Sequence, residues 1–260
     1  MLSLLEAIIL GLVQGATEFL PISSTGHLVL VDKVLGFDSS FEFDVLLNIG
    51  TILALIIYYR KTIFDLISNC KSNLKIFSLI VVATIPAVII GFIWSDLIEN
   101  KLQSAWVVVF MLIFIGLLMI WSPTKSKGKS VDKLSVVESA KIGLAQALAL
   151  IPGTSRSGIT ILAGQSQGLN SIESARFSFL MAIPVISGAT LKVALSGDGR
   201  SFIASNPTQL LFGNLASFLA GLLAVNFLID ILGKKGLKPF GWYRICLGIV
   251  LAVLLFAKII

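Results

Sequence analysis

The chain has 260 residues, of which 56% are hydrophobic and 13% are charged, and its mean hydropathy is +0.97. A soluble domain carries about 25% charged residues, so this composition excludes a water-soluble globule and predicts a polytopic membrane protein. The formal charge is +6. Because the basic residues lie in short loops between apolar runs, membrane orientation explains them, and no nucleic-acid partner is expected.

Six apolar runs are long enough to cross a bilayer at a rise of about 1.5 Å per residue. They are residues 43–59, 76–94, 105–121, 177–195, 210–232 and 242–258. Two further apolar segments, 4–35 and 136–169, are broken in the middle by Pro, Gly and Ser. Each half of a broken segment is too short to span, so an all-α fold with two re-entrant helix–turn–helix segments is predicted.

The two broken segments resemble each other at a constant offset of 132 residues. The matching pairs are Glu6 and Glu138, Gly11 and Gly143, Leu12 and Leu144, and Gln14 and Gln146. After a slip of one residue, Pro21 and Ser24 match Pro152 and Ser155. We therefore predict an internal duplication into residues 1–121 and 122–260, each half with a broken segment and three spans. Since each half has an odd number of spans, the halves have inverted topology, as in many transporter folds.

Loop charges give the expected orientation. Three loops are basic and hold Arg60, Lys61, Lys71 and Lys75; Lys125, Lys127, Lys129, Lys133 and Lys141; and Lys234, Lys235, Lys238 and Arg244. The positive-inside rule makes these loops cytoplasmic and both termini external. The broken segments then enter from opposite sides. Irregular backbone at that depth lines a polar cavity or is buried in protein, so the two turns are expected to face each other.

The first turn collects polar side chains in an apolar setting. Glu18 lies four residues after Gln14, on the same helix face, and a carboxylate at membrane depth is a candidate functional group because it is costly to bury. His27, the single histidine of the chain, follows nine residues later. The hydroxyl residues between them are Ser23, Ser24 and Thr25.

The second turn has the composition of a phosphate site. It reads Gly153, Thr154, Ser155, Arg156, Ser157, Gly158 and precedes a predicted helix starting near Ser157. Backbone N–H groups at a helix N-terminus bind anions, and a guanidinium matches two phosphate oxygens. The string is not a Walker A loop, which requires G-x-x-x-x-G-K-[ST].

The strings QGATEFLPISSTGH, residues 14–27, and PGTSRSGIT, residues 152–160, resemble the two signature motifs of the bacterial undecaprenyl-diphosphatase family, also called the bacitracin-resistance family. The similarity covers essentially the whole chain. It implies hydrolysis of undecaprenyl diphosphate to the monophosphate and inorganic phosphate, which recycles the lipid carrier of peptidoglycan synthesis and confers bacitracin resistance. It also implies the bacterial plasma membrane, with the active site opening to the outer face.

The resemblance also assigns roles to residues. The family's [E/Q]-x-x-x-E motif falls on Gln14 and Glu18, its catalytic histidine on His27 and its arginine on Arg156. The motif hydroxyls fall on Ser24, Ser155, Ser157 and Thr160. Many members carry a second carboxylate where this chain has Gln14, which removes one possible metal ligand.

The expected cofactor is a divalent cation, Mg²⁺ or alternatively Ca²⁺, because oxygen ligands from one or two carboxylates plus substrate phosphates suit Mg²⁺. Glu18 is its expected ligand, with Gln14 as a second, or else Glu18 orients His27. The attacking group stays open among His27, a serine that His27 activates, and water. Oligomeric state is not predicted.

Two other classes compete with the phosphatase. Inverted repeats with an anion site also suit a transporter or a flippase of a lipid phosphate. The residues favour an enzyme, because His27, Glu18 and the serines supply a nucleophile and its activators. The T-G-H string at residues 25–27 is similar to one in the phosphatidic-acid type of lipid phosphatase, but enzymes of that type need two histidines and this chain has one.

Overall fold

The computed structural model describes residues 2–93, 104–122 and 128–258, and these contain thirteen α-helices. The first six are α1 (Leu4–Phe19), α2 (Ser24–Leu35), α3 (Phe41–Leu46), α4 (Asn48–Tyr58), α5 (Arg60–Ser68) and α6 (Cys70–Ile93). The other seven are α7 (Ala105–Trp121), α8 (Val136–Leu148), α9 (Arg156–Ser166), α10 (Ser171–Leu195), α11 (Gly197–Ser205), α12 (Pro207–Lys235) and α13 (Lys238–Phe256). The all-α prediction is confirmed.

Five segments are long and apolar enough to cross a membrane: Phe41–Tyr58, Asn73–Ile93, Ser171–Leu195, Pro207–Lys235 and Lys238–Phe256. Each overlaps a predicted span. The remaining predicted span is the 17-residue helix α7, which is apolar but shorter. The first span differs from the prediction because it consists of two helices, α3 and α4, joined at Leu47. The predicted end of the second span, Trp94, lies outside the described residues.

Large apolar side chains cover the outside of the helical bundle. Leu223 is 73% exposed, and Phe92 and Phe256 are 82% and 78% exposed. Exposed apolar side chains of this size and number are unfavourable in water and favourable against lipid tails. The outer surface therefore supports the multi-pass membrane protein that the composition predicts.

Each broken segment forms two helices around a tight turn: α1 and α2 in the first, α8 and α9 in the second. These helices have 16, 12, 13 and 11 residues, below the roughly 20 that cross a bilayer. Both α1 and α8 begin with a capping box, formed by Ser3 with Glu6 and by Ser135 with Glu138. The matched glutamates are therefore helix caps. A hydrogen bond from Lys129 holds the pKa of Glu138 at about 2.

The broken segments pack against the spans through glycines. In α1, a Cβ on Gly11 would meet the carbonyl oxygen of Gly213 in α12. In α8, a Cβ on Gly143 would lie 2.5 Å from the carbonyl oxygen of Ala83 in α6. Close approach of backbones at small residues is how helices associate in lipid. Two glycines at matched positions thus place each turn-bearing helix directly against a span.

Gly143→Ala is expected to lower the free energy of unfolding by about 1–3 kcal/mol, because the added methyl group overpacks the contact with Ala83. The matched control is Gly188→Ala in α10, where an added Cβ meets nothing within 4 Å. This control should keep or raise stability, since alanine is the better helix former. Thermal unfolding in detergent measures both, and equal melting temperatures would contradict the close packing.

Candidate active site

One ion pair joins the two broken segments. Arg156 begins α9, and its Nη2 donates to Oε1 of Glu18 near the end of α1 at 2.9 Å. Only 11% of the Arg156 side chain and 12% of the Glu18 side chain are exposed. Because 138 positions separate these residues in sequence, the contact brings both signature motifs into one site.

Glu18 is the centre of a polar cluster that consists of Gln14, Glu18, Ser24, Asn48 and Arg156, here called the Glu18 cluster. Its Oε2 accepts from Ser24 Oγ at 2.7 Å and from Gln14 Nε2 at 3.1 Å. Gln14 Nε2 also donates to Asn48 Oδ1 at 2.9 Å. Both carboxylate oxygens of Glu18 therefore accept hydrogen bonds, one of them from a guanidinium, as the burial of a charge requires.

The two turns have the same unusual backbone conformation. Ser23 has φ of 74° and Ser155 has φ of 68°, in the left-handed region that non-glycine residues rarely adopt. Each serine caps the next helix, accepting from the N–H of Gly26 or Gly158 at 3.3 Å. The structure thus pairs Ser23 with Ser155 at the offset of 132, and the one-residue slip that matched Ser24 to Ser155 is wrong. Strain of this kind concentrates at functional sites.

Direct contacts hold the turns together. Ser157 Oγ donates to the Leu20 carbonyl of the first turn at 3.1 Å and lies 3.2 Å from Ser155 Oγ. Gly153 has φ of 88°, and a Cβ there would lie 2.8 Å from the backbone of Val108 in α7. Glycine is required at this position by both conformation and space.

The Arg156 guanidinium group has unused donors. Its Nε and Nη1 are buried without a hydrogen-bond partner in the described residues, while Nη2 is bound to Glu18. Unpaired buried donors on a charged group are costly and therefore indicate a missing acceptor. A phosphate oxygen would be a suitable acceptor, because a guanidinium and the adjacent N-terminus of α9 both favour an anion.

His27 is held by two contacts. Its Nδ1 lies 2.7 Å from the Ser23 carbonyl oxygen, and its Nε2 lies 2.8 Å from the hydroxyl of Tyr243 in α13. The prediction that Glu18 orients His27 is wrong, because Ser23 and Tyr243 occupy both ring nitrogens. Ser24 donates to Glu18 and not to His27.

Arg244 in α13 is fully buried and was not expected at the site. Its Nη2 donates to the carbonyl oxygens of Gly153 at 2.7 Å and Met111 at 3.0 Å. Its Nη1 donates to the carbonyl of Pro21, and its Nε to that of Leu112, both at 3.4 Å. One side chain therefore ties both turns to α7 and adds a buried positive charge beneath them.

The assignment of Arg244 to a basic cytoplasmic loop is wrong. Lys234, Lys235 and Lys238 are exposed, whereas Arg244 lies inside α13 with no exposed surface. The sequence did carry a signal for this position, because Arg244 also falls within the predicted apolar span 242–258.

The other predicted site residues surround this centre at different depths. Thr25 is exposed. Thr154 is buried and donates to the Ile151 carbonyl at 2.7 Å. Thr160 is buried one turn beyond Arg156, 2.7 Å from the Arg156 carbonyl and 2.6 Å from Ser178 Oγ. Thr154 and Thr160 therefore support the turn and α9, and neither hydroxyl is free.

The donor set limits how a metal ion could bind. The described residues contain no group of three or more His, Cys, Asp or Glu side chains placed to hold one. Glu18 is the sole carboxylate of the Glu18 cluster, and Arg156 already binds one of its oxygens. These residues fit a cation held jointly by Glu18 and phosphate oxygens, and they do not fit a cage built by protein alone.

Comparison with known proteins agrees with the motifs. The profile of a family described as "Bacitracin resistance protein BacA" matches residues 7–250. The undecaprenyl-diphosphatase of Rubrobacter xylanophilus is 40% identical, covering 98% of this chain and 99% of the relative. Undecaprenyl-diphosphatase 1 of Pseudoalteromonas translucida is 40% identical over the same shares. The undecaprenyl-diphosphatase of Bdellovibrio bacteriovorus is 39% identical, covering 98% of this chain and 97% of the relative. The chain belongs to the bacitracin resistance protein BacA family.

Proposed function

We propose that this chain is an undecaprenyl-diphosphate phosphatase, which hydrolyses undecaprenyl diphosphate to undecaprenyl phosphate and inorganic phosphate. The observation that carries the proposal is that Arg156 has two buried, unpaired donors beside the Glu18 carboxylate of the other broken segment. Relatives that are about 40% identical over nearly their whole length are named for this activity. Hydrolysis recycles the lipid carrier of cell-wall synthesis and accounts for bacitracin resistance.

Charge complementarity supports a diphosphate as the bound group. A diphosphate brings several negative charges to a site with little access to water, where each charge needs a partner. Nε and Nη1 of Arg156 donate to its oxygens, and the N-terminus of α9 contributes backbone N–H groups and the positive end of its dipole. Arg244 adds a second positive charge behind the turns. The undecaprenyl chain stays in the lipid that the apolar outer surface faces.

His27 supplies the lone pair for phosphoryl transfer. The Ser23 carbonyl accepts only, so Nδ1 carries the ring proton and Nε2 is the basic nitrogen. Nε2 either bonds to the terminal phosphorus or removes the proton of an attacking water. Glu18 keeps Arg156 and Ser24 in place through both carboxylate oxygens. The bond from the terminal phosphorus to the bridging oxygen breaks, undecaprenyl phosphate leaves with the negative charge, and Arg156 stabilises the charge on the phosphate oxygens.

A divalent cation, Mg²⁺ or Ca²⁺, belongs to the proposal as a shared ligand of the protein and the substrate. Glu18 would hold it, with Gln14 as a second oxygen donor. When bound, the cation neutralises part of the diphosphate charge. Because position 14 is a glutamine in this chain, Glu18 is the sole carboxylate of the Glu18 cluster. We therefore expect the cation to bind together with the diphosphate.

Removing divalent cations with EDTA is expected to lower the rate of phosphate release by about a hundredfold, because a metal ion next to a transferring phosphoryl group stabilises it by several kcal/mol. Excess Mg²⁺ should restore the rate. Metal binding measured by calorimetry should be weak without the diphosphate lipid and stronger with a non-hydrolysable analogue. Full activity in EDTA would contradict the cation's role and leave the arginine site as the sole source of charge stabilisation.

The proposed setting is the bacterial plasma membrane, with both termini outside and the site opening to the outer face. The basic loops containing Lys234 and Lys235 support this orientation. The matched capping boxes and the matched serine turns support a duplication of residues 1–121 and 122–260 with inverted topology. Labelling of single cysteines placed at Ser3 or Lys235, in a variant with Cys70 and Cys246 replaced by serine, with a membrane-impermeant reagent tests the orientation, since only the first should react from outside.

The experiment that tests the proposed function follows undecaprenyl diphosphate by ³¹P NMR in detergent with the purified protein. The expected products are undecaprenyl phosphate and inorganic phosphate in equal amounts. Release of pyrophosphate, or an intact lipid, would overturn the proposal. Transport or flipping, the alternative function, changes no covalent bond, so a detergent solution without compartments separates it from hydrolysis.

A further inference from the structure

The single histidine has an unexpected partner. Tyr243 lies in α13, 216 positions after His27, and its hydroxyl is 2.8 Å from Nε2 of the imidazole. The two rings are nearly parallel, with an angle of 4° and centroids 5.7 Å apart. No motif in the sequence pointed to Tyr243, and the mechanism above does not use it.

The direction of this hydrogen bond follows from the other side of the ring. The Ser23 carbonyl oxygen, 2.7 Å from Nδ1, only accepts, so Nδ1 must donate. In the neutral imidazole Nε2 then carries the lone pair and can only accept. The Tyr243 hydroxyl is therefore the donor, and the imidazole is held between one acceptor and one donor that together select a single tautomer.

The support for Tyr243 is rigid. The next residue, Arg244, is fully buried and bound to the carbonyl oxygens of both turns. The backbone of α13 is therefore fixed relative to Ser23, and the Tyr243 hydroxyl and the Ser23 carbonyl are fixed relative to each other. An imidazole bound to both has one ring orientation and one reactive nitrogen.

We propose that Tyr243 is the positioning residue of His27, holding the imidazole in the Nδ1–H tautomer with its Nε2 lone pair available for the terminal phosphorus or the attacking water. This inference rests on the proposed phosphatase function. In the resting site the phenol satisfies Nε2. Because this is a hydrogen bond between neutral groups, the incoming phosphoryl group or water replaces the phenol at Nε2 once the ring already has the reactive tautomer and orientation.

The test uses the fact that the chain has one histidine. Protein labelled with ¹⁵N-histidine gives one Nδ1 and one Nε2 resonance in detergent, which report tautomer and hydrogen bonding directly. Tyr243→Phe keeps the ring and removes the hydroxyl. The matched control is Tyr58→Phe, because Tyr58 packs on Tyr59 at a ring distance of 4.9 Å and has no contact with His27 among the described residues.

The expected result has two parts. In Tyr243→Phe the Nε2 resonance moves toward the position of a free, unprotonated ring nitrogen, whereas Tyr58→Phe leaves it unchanged. The kcat for phosphate release falls by about tenfold with little change in KM, because without the phenol only a fraction of the enzyme holds the imidazole in the reactive orientation, while the diphosphate contacts are unchanged.

Two results would overturn the proposal: an Nε2 resonance that Tyr243→Phe does not move, or a moved resonance with kcat unchanged. If Tyr243 had only a structural role, Tyr243→Phe would have a lower melting temperature but the same imidazole tautomer as the wild type. The ¹⁵N spectrum distinguishes this case from a positioning role. If the wild-type protein releases no phosphate, the proposed function and the positioning role fail together. The ¹⁵N spectrum would then still show whether Tyr243 contacts His27. A protein that lacks phosphatase activity is thereby distinguished from a protein that lacks this contact.

Discussion

Arg156→Gln is expected to lower kcat/KM for undecaprenyl diphosphate by about a thousandfold, the effect of removing an arginine that stabilises a transferring phosphoryl group. The Arg156 guanidinium has two buried donors without a partner, Nε and Nη1. Glutamine has neither the positive charge nor the two parallel N–H groups that bind two phosphate oxygens. Initial rates of phosphate release in detergent measure this loss. Arg156→Lys should recover a small part of the activity, since lysine keeps the positive charge but lacks the two parallel N–H donors of the guanidinium.

The control for this prediction is Arg176→Gln. Arg176 lies on α10 with 38% of its side chain exposed and contacts Glu173 at 3.5 Å. A partly exposed pair at 3.5 Å contributes little, and Glu173 keeps its hydrogen bond from the Val131 N–H, so activity and melting temperature should stay near the wild-type values. If Arg156→Gln keeps more than about a tenth of the activity while remaining folded, far above the range expected for such an arginine, Arg156 does not stabilise the transition state.

Arg244→Met is expected to lower the free energy of unfolding by at least about 2 kcal/mol and to abolish phosphate release. Methionine fills the space but leaves the carbonyl oxygens of Pro21 and Gly153 without the donor that Arg244 supplies, at about 1–3 kcal/mol for each buried group. Both turns then lose their common anchor. Thermal unfolding and circular dichroism in detergent measure the first effect, and the activity of the folded fraction measures the second.

Arg200→Met on α11 is the matched control, because Arg200 is exposed. It should change neither quantity. Arg244→Lys should be intermediate, since an ammonium reaches fewer of the four carbonyls than a guanidinium does. A folded, fully active Arg244→Met protein would show that the turns keep their geometry without this side chain.

The two turns were predictable because their chemistry is local. Proline, glycine and serine interrupt each apolar segment, and irregular backbone at membrane depth must be buried in protein or line a cavity, so the two turns were expected to face each other. The ion pair of Glu18 with Arg156 at 2.9 Å joins them, although the sequence did not predict this pair. The sequence could not show which serine of the first turn corresponds to Ser155. Ser23 and Ser24 are the same residue type, and only the positive φ of Ser23 identifies it as the helix cap.

Arg244 and Tyr243 were missed for a different reason. Counting loop charges treats any arginine next to lysines as cytoplasmic, and three lysines precede Arg244 within ten positions. Its burial depends on four carbonyl oxygens from three distant parts of the chain, and sequence periodicity carries no information about such long-range contacts. The position of Arg244 inside an apolar span was the one available signal.

The central claim is that both turns form one phosphatase site, and a double-mutant cycle across the Glu18–Arg156 pair tests it most directly. Phosphate release from undecaprenyl diphosphate is measured for the wild type, Glu18→Gln, Arg156→Gln and the double variant, each verified as folded. If the residues act as one unit, the double variant loses about as much activity as the worse single variant. Losses that multiply, or a wild type that releases no phosphate, would contradict a shared site.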